Sequence, residues 1–278
     1  MEAYSDDWLR YIMPGMELFV DRIGEGRPLV FLHGNPVDHR IHLPMDGAIA
    51  QVGGWERWYL DLPGFGRSPL PDNVTSSQTM AEALVTWLVS TLRDKPFALV
   101  GSSFGGLMAR YVANHMPNQV SGLGLICPLV TADRAKRRLP PFRLAQVDQD
   151  LAAKVPAADW AEYAEMAVIQ SPQGWEGFRR YILPALRADS AAVVGRLARS
   201  YDLTQPPEMV GASFSQPALI LCGRDDNVVG FEDQFGLLGH YSSATYVALA
   251  NCGHNAWNDQ PHQVESHLVQ LLERIPAT

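Results

Sequence analysis

The chain has 278 residues, of which 47% are hydrophobic and 19% are charged, and its formal net charge is -8. This length and apolar content suffice for one large α/β domain, with or without an insertion. The acidic balance argues against nucleic acid as a partner, because phosphate binding requires a clustered basic surface.

The cysteines and the N-terminal residues indicate the cellular compartment. The chain has three cysteines, Cys127, Cys222 and Cys252, and no two of them have C-x-x-C spacing. We therefore do not expect a disulfide framework. Residues 1–15 lack the basic start and apolar run of a signal peptide. No stretch approaches the roughly 20 apolar residues that cross a bilayer. These observations predict a soluble, cytoplasmic protein without a membrane partner.

Short apolar runs bounded by glycine or proline recur in the first half of the chain. Such runs predict strands that are buried on both faces, as in a parallel sheet. They cover residues 16–21, 28–34, 58–61, 97–101 and 122–127. Helical periodicity lies between them, over residues 80–92 and 104–115. The alternation predicts an α/β fold with a doubly wound sheet.

The strand pattern stops after Pro128 and returns near the C-terminus. Helix-like stretches punctuated by proline cover residues 160–169, 175–183 and 190–201. Strand-like runs follow at 217–223 and 245–249, and then a helix at 264–272. We interpret residues 1–130 and 216–278 as one α/β core, interrupted by a helical cap of residues 131–215. Two unrelated domains are the alternative, but the final segment is too short to fold alone.

A possible nucleophile lies between a predicted strand and a predicted helix. Gly101-Ser102-Ser103-Phe104-Gly105 fits the pattern G-x-S-x-G, in which the serine lies on a strained strand-to-helix turn. Glycines are needed there because side chains would collide with neighbouring backbone. The pattern predicts Ser103 as a nucleophile, which requires a histidine base oriented by a carboxylate.

His254 and Asp226 have the best settings for the base and the acid. His254 follows the strand-like run 245–249, and Asp226 follows the run 217–223. The chain order of serine, acid and histidine is the order found in α/β-hydrolases. Asp225 is the alternative acid.

These motifs resemble those of the α/β-hydrolase superfamily, close to its branch of capped esterases, lactonases and carbon–carbon hydrolases. The resembling segments are residues 33–36, 61–68, 101–106, 223–229 and 251–261. The resemblance implies a mostly parallel central sheet flanked by helices, with an inserted helical cap. It favours Asp226, three residues after the glycine, as the acid. It also implies an oxyanion hole formed by backbone N–H groups of Phe104 and Asn35, with His33 as a structural residue.

Aromatic and basic residues are the candidates for substrate contacts. Small-molecule sites are usually apolar pockets, and we expect Trp160, Tyr163 and Phe178 of the cap to contribute to one, together with Trp257. Packing is the alternative role for these aromatic residues. A basic cluster is interpreted as a solvated face, with a site for an acidic substrate tail as the alternative; its members are Arg134, Lys136, Arg137, Arg138 and Arg143.

The predicted reaction is hydrolysis of a carboxylic ester or lactone of a small, largely apolar substrate. We expect neither metal nor organic cofactor, because no Cys/His cluster has metal-ligand spacing and no G-x-G-x-x-G follows a strand. One alternative is a carbon–carbon hydrolase of a ring-cleavage-type diketone, with Arg179, Arg180 or Arg187 holding a substrate carboxylate. The other is a slow-turnover ligand-binding or signalling protein. The sequence does not predict the oligomeric state.

Overall fold

A seven-stranded sheet forms the centre of the computed structural model, which describes residues 16–277. Its strand order is β1-β3-β2-β4-β5-β6-β7. The first strand is antiparallel to β3, and the other neighbouring pairs are parallel. The strands are β1 (Val20–Ile23), β2 (Arg27–Leu32), β3 (Trp55–Leu60), β4 (Phe97–Ser102), β5 (Val120–Ile126), β6 (Ala218–Gly223) and β7 (Ala244–Leu249). The expectation about a signal peptide concerns residues 1–15, which lie outside the described residues.

Burial explains why the strands read as continuous apolar runs. Every residue of β4 and of β6 is buried, as expected for parallel strands covered on both faces. The first strand begins later than predicted, at Val20 rather than residue 16. Before it, the backbone N–H of Phe19 donates to Ser68 Oγ at 2.9 Å, so this residue is held by a loop.

Helices cover both faces of the sheet and also form a separate block between β5 and β6. Those of the core are α1 (Asp46–Val52), α2 (Ser77–Leu92), α3 (Phe104–His115), α9 (Glu232–Phe235), α10 (Ala256–Asp259) and α11 (Pro261–Arg274). The prediction of α3 is confirmed at both ends. The predicted α/β architecture, a mostly parallel sheet flanked by helices, is therefore confirmed.

Residues 131–215, here called the helical insertion, contain α4 (Gln149–Lys154), α5 (Ala157–Ala164), α6 (Pro172–Gly177), α7 (Leu183–Leu186) and α8 (Ala191–Arg199). Two predicted helices differ from the structure. The helix at 160–169 ends at Ala164, because Gln146 and Ile169 form a parallel bridge instead. The helix at 175–183 contains a π-helical turn, Phe178–Ile182. Pro184 follows it and cannot donate to the carbonyl four residues earlier.

A buried ion pair connects the insertion to the core. Arg110 of α3 is 1% exposed, and its guanidinium donates to Glu208 through Nε and Nη2 at 2.7 and 2.6 Å. Tyr241 Oη also donates to this carboxylate, at 2.8 Å.

Among the described helices, none combines the length and the apolar character needed to cross a bilayer.

Candidate active site

Four parallel strands bring the predicted catalytic segments to one edge of the sheet. Carboxyl ends of neighbouring parallel strands meet at the same edge, where ligands bind in open α/β sheets. Ser103 directly follows β4, and Gly34 lies just beyond the neighbouring strand β2. Asp226 and His254 come shortly after the adjacent strands β6 and β7.

Ser103 lies in a strained backbone conformation at the start of α3. Its φ and ψ are 54° and -119°, and its side chain makes no capping hydrogen bond to the helix. Its backbone N–H donates to the Ile126 carbonyl at 3.1 Å, and its carbonyl accepts from Leu129 at 2.9 Å. A Cβ at Gly105 would lie 2.0 Å from the Leu32 carbonyl oxygen. Close packing of the surrounding backbone therefore maintains the turn.

The loop after β2 lies directly against Ser103. A Cβ at Gly34 would be 3.1 Å from Ser103 Cβ and 3.6 Å from its Oγ. His33 fixes this loop, because its Nε2 accepts from the Leu62 N–H at 2.9 Å and its Nδ1 donates to the Gly34 carbonyl at 2.7 Å. Burial lowers the pKa of His33, in keeping with a neutral ring that accepts one bond and donates the other.

Phe104 and Asn35, the predicted oxyanion-hole residues, meet at one side chain of the insertion. Phe104 is the first residue of α3, so its N–H has no acceptor within the helix. Its ring stacks on Tyr201 with centroids 5.3 Å apart, and the Tyr201 hydroxyl accepts from Asn35 Nδ2 at 3.4 Å. The sequence offered no signal that distinguishes Tyr201 from other aromatic residues of the insertion.

Asp226 and His254 form a buried hydrogen bond. His254 Nδ1 lies 2.9 Å from Asp226 Oδ2, and the two side chains are 10% and 0% exposed. Asp226 Oδ1 accepts from the N–H groups of Val228 and Val229 at 2.8 and 3.0 Å. Together with the imidazole, these donors hold both carboxylate oxygens, so the carboxylate orients the imidazole with its proton on Nδ1 and leaves Nε2 as an acceptor.

The neighbouring carboxylate, Asp225, has another partner. Arg143 Nε lies 3.0 Å from Asp225 Oδ1, and the same guanidinium donates to Asn251 Oδ1 at 3.2 Å. Of the two aspartates that the sequence left open, the structure therefore brings Asp226, and not Asp225, to the histidine.

A second aspartate supports the loop that carries His254. Asp259 Oδ2 accepts from the Gly253 N–H at 2.8 Å, and its Oδ1 accepts from the Ile169 N–H of the insertion at 3.1 Å. Burial raises the pKa of Asp259 to about 6, although both N–H bonds act in the opposite direction. Sequence reasoning missed this residue, because an aspartate in a short helix carries no signal of such distant partners.

The basic cluster contacts the loop that carries Asp226, here called the acid loop (residues 224–231). Arg134 donates to the Asn227 carbonyl at 3.2 Å, and Arg137 donates to the Val228 carbonyl at 2.8 Å. The cluster therefore is not simply a solvated face, which corrects that interpretation. A cleft of about 790 Å³ lies beside this contact, lined by residues that include Arg138, Arg143, Arg224 and Asp225. Its lining does not include the serine or the histidine of the site.

The aromatic residues proposed as substrate contacts pack within the fold. Tyr163 and Phe178 are each 1% exposed, and the Tyr163 ring contacts Phe178 and Trp160 at centroid distances of 5.4 and 5.6 Å. Trp257 is 6% exposed and lies 6.1 Å from the ring of His42. Within residues 16–277, no ring-to-ring contact joins these four residues to His254. Their role in substrate binding stays a prediction, and packing is the role their contacts support.

Two buried groups bring three possible metal-ligand atoms within 4.8 Å of one another. One consists of Cys127, Asp226 and His254, and the other of Asp38, His39 and Asp61. In each group a histidine is already hydrogen-bonded to an aspartate, at 2.9 Å and 2.7 Å respectively. Burial raises the pKa of the Cys127 thiol well above its usual value, which disfavours the thiolate that binds metals.

Comparison with known sequences decides the family. Residues 27–259 match the family model described as alpha/beta hydrolase fold. The chain belongs to the α/β-hydrolase family. An AB hydrolase superfamily protein, YisY of Bacillus subtilis, is 29% identical over 91% of this chain and 94% of its own length.

Two further relatives have named activities, and a solved structure shows the same fold. A pimeloyl-[acyl-carrier protein] methyl ester esterase of Shewanella is 26% identical over 93% of each chain. A 2-succinyl-6-hydroxy-2,4-cyclohexadiene-1-carboxylate synthase of Enterobacter is 28% identical over 88% of this chain and 91% of its own. The crystal structure of an alpha/beta superfamily hydrolase from Oenococcus oeni has a TM-score of 0.85 and 28% identity, covering 94% of this chain and all of that one. The α/β-hydrolase chain described here thus has esterases among its relatives.

Proposed function

We propose that this α/β-hydrolase is a serine hydrolase that cleaves a carboxylic ester or lactone of a small, largely apolar substrate. Ser103 is the nucleophile, His254 the base and Asp226 the acid that orients the base. The observation that carries the proposal is the buried 2.9 Å bond between His254 and Asp226, at the sheet edge where Ser103 occupies a strained strand-to-helix turn. An esterase among the relatives supports the same reaction class.

Acylation follows from the proton positions at this dyad. The Nδ1–H of His254 is hydrogen-bonded to Asp226, so the Nε2 lone pair is free to accept a proton. It takes the hydroxyl proton as Ser103 Oγ attacks the carbonyl carbon. The carbonyl oxygen becomes an oxyanion, for which the N–H groups of Phe104 and Asn35 are the proposed donors. Each such donor typically contributes on the order of 3 kcal/mol to the transition state.

Collapse of the tetrahedral intermediate breaks the bond to the leaving group, which receives the proton held on His254 Nε2. The acyl group remains on Ser103 Oγ. Water then attacks the acyl carbon while His254 takes one of its protons, and collapse returns that proton to Ser103 and releases the acid. Neither a metal nor an organic cofactor is needed for these steps.

The deciding experiment measures hydrolysis of p-nitrophenyl acetate and butyrate, with mass spectrometry after treatment with a fluorophosphonate. The unaltered protein should turn over and be labelled on Ser103, and Ser103→Ala should lose both. Ser90→Ala is the matched control, since Ser90 lies on α2 and its hydroxyl bonds to the Trp87 carbonyl. A folded protein that neither turns over nor accepts the label would contradict the proposal and favour the ligand-binding alternative.

The carbon–carbon hydrolase alternative requires a cation for the substrate carboxylate. The arginines proposed for that task lie on the surface of the insertion. Arg179 contacts Glu176 at 2.7 Å, Arg187 contacts Asp159, and Arg180 lies 5.2 Å from the Tyr181 ring. Because all three arginines are exposed and have partners at the surface, they lend no support to a carboxylate site, and ester or lactone cleavage stays the first proposal. A spectral assay on a coloured dienoate separates the two reactions.

A further inference from the structure

Two arginines of the insertion approach the same two peptide groups that hold Asp226. The N–H of Val228 and the N–H of Val229 both donate to Asp226 Oδ1. The first N–H shares its peptide group with the carbonyl of Asn227, and the second with the carbonyl of Val228. Arg134 donates to the former carbonyl at 3.2 Å, and Arg137 donates to the latter at 2.8 Å. Each peptide group thus has a guanidinium at its oxygen and the carboxylate of Asp226 at its N–H.

Arg137 is the better placed of the two arginines. Besides Val228, its guanidinium donates to the carbonyls of Thr131 and Ala132, both at 2.7 Å. It is half-buried, and among residues 16–277 no carboxylate lies within ion-pair distance of it. Three backbone acceptors therefore fix its position, whereas Arg134 is exposed and makes one longer bond.

Arg137 and Asp226 interact electrostatically, although their side chains do not touch. Burial lowers the pKa of Arg137, and the negative charge of Asp226 acts in the opposite direction, which places the two groups within electrostatic range. A cation at a carbonyl oxygen polarises the peptide group and makes its N–H a stronger donor. The Val229 N–H, 3.0 Å from Asp226 Oδ1, is the donor so affected.

We propose that Arg137, assisted by Arg134, is a positioning residue for Asp226. By holding the Val228 carbonyl, Arg137 fixes the peptide group whose N–H fixes the carboxylate, and through Asp226 it fixes the ring of His254. The start of the insertion is thereby part of the catalytic geometry, although it does not touch the reacting atoms. This inference rests on the proposed function for its kinetic consequence.

The test compares Arg137→Gln, Arg134→Gln and Arg138→Gln by kcat and KM for p-nitrophenyl butyrate, per fluorophosphonate-reactive site. Arg137→Gln should lower kcat between about tenfold and about 100-fold, because small displacements of catalytic groups have effects of this size. KM should change by less than about twofold. Arg134→Gln should lower kcat by a smaller factor. Arg138→Gln should leave kcat unchanged, since Arg138 contacts Asp233 and Glu232 instead.

A second readout does not depend on turnover. The proton between His254 Nδ1 and Asp226 is expected to give a signal far downfield in the proton NMR spectrum, and exchange of this proton with water broadens the signal. Because Asp226 is held less firmly in Arg137→Gln, exchange should be faster there and the signal should weaken. The signal should persist in Arg138→Gln. If the unaltered protein neither hydrolyses the ester nor accepts the label, the proposed function fails, and this signal still decides whether Arg137 positions Asp226.

Conservative replacement distinguishes positioning from bulk stability. Arg137→Lys keeps a cation that reaches the Val228 carbonyl, so it should recover part of the kcat lost in Arg137→Gln. If Arg137→Gln does not fold, Arg137→Lys is compared with Arg138→Lys, and only the former should lower kcat. Unchanged kcat and an unchanged downfield signal in the Arg137 variants would overturn the proposal, as would an equal loss in the Arg138 variants.

Discussion

The Cα of Gly34 lies so close to the side chain of Ser103 that a methyl group at this position would crowd the serine. A Cβ at this position would be 3.1 Å from Ser103 Cβ and 3.6 Å from Oγ. The absent side chain leaves space beside the proposed nucleophile, where the carbonyl group of a substrate has to enter.

We predict that Gly34→Ala lowers kcat/KM by about 100-fold, because the methyl group displaces the serine hydroxyl or the substrate carbonyl. Circular dichroism and thermal unfolding should show a folded protein. Gly47→Ala is the matched control, since a Cβ there meets nothing within 4 Å. Full activity in Gly34→Ala would mean that substrate does not approach Ser103 from this side.

Two adjacent aspartates allow a sharp test of the acid. Asp226→Asn should lower kcat by roughly 10⁴-fold, because the amide no longer stabilises the required tautomer and the imidazolium. Asp225→Asn removes the partner of an exposed arginine, and such pairs contribute little, so kcat should stay near that of the unaltered protein. Steady-state kinetics on p-nitrophenyl butyrate checks both. Equal losses in the two variants would contradict the assignment of Asp226.

The buried pair between Arg110 and Glu208 should dominate the stability of its region. Arg110→Met leaves the carboxylate of Glu208, which is 15% exposed, without its cation, and the free energy of unfolding should fall by about 3 kcal/mol. Arg22→Met disrupts an exposed pair with Glu56 and should cost less than about 1 kcal/mol. Urea denaturation measures both values. A loss below about 1 kcal/mol for Arg110→Met would show that water or another group replaces the arginine.

Asp259 should make stability depend on pH in the acid range. Its pKa is about 6 in the folded chain, against the ordinary value of 3.8, so the unfolded chain loses this proton at lower pH than the folded chain. Stability contributed by the protonated group is present below about pH 4 and is lost as the pH rises through about 6. The unfolding free energy of the unaltered protein, minus that of Asp259→Asn, should therefore fall by about 3 kcal/mol over this range. A constant or rising difference, measured by urea denaturation at several pH values, would contradict the raised pKa.

The features that could be predicted from the sequence are those that depend on short, local residue patterns. The apolar run before Gly101 predicts β4, because a strand buried on both faces has apolar residues throughout. The helical spacing of apolar residues after Ser103 predicts α3. Position after a strand limits the candidates for the acid that orients the histidine to Asp225 and Asp226. The contact of Arg143 with Asp225 separates them, and it joins residues 82 positions apart.

The features that sequence reasoning missed depend on distant contacts. The bond of Asp259 to Ile169 spans 90 positions, and the approach of Tyr201 to Asn35 spans 166. Helical spacing also cannot tell an aromatic residue that faces a pocket from one that packs inside the insertion. Tyr163 and Phe178 show this, since the pattern that predicted them as substrate contacts is equally typical of the buried cluster they form.

The contacts of the insertion determine where it could be exchanged for that of another hydrolase. Its first residues hold the acid loop through Arg137, and its last residues hold α3 through Glu208 and reach Asn35 through Tyr201. A chimera cut at residues 131 and 215 would therefore remove supports of the core along with the insertion. Crossover points between these contacts, at about residues 147 and 200, would leave those three supports in place and confine the exchange to helices α4 to α8.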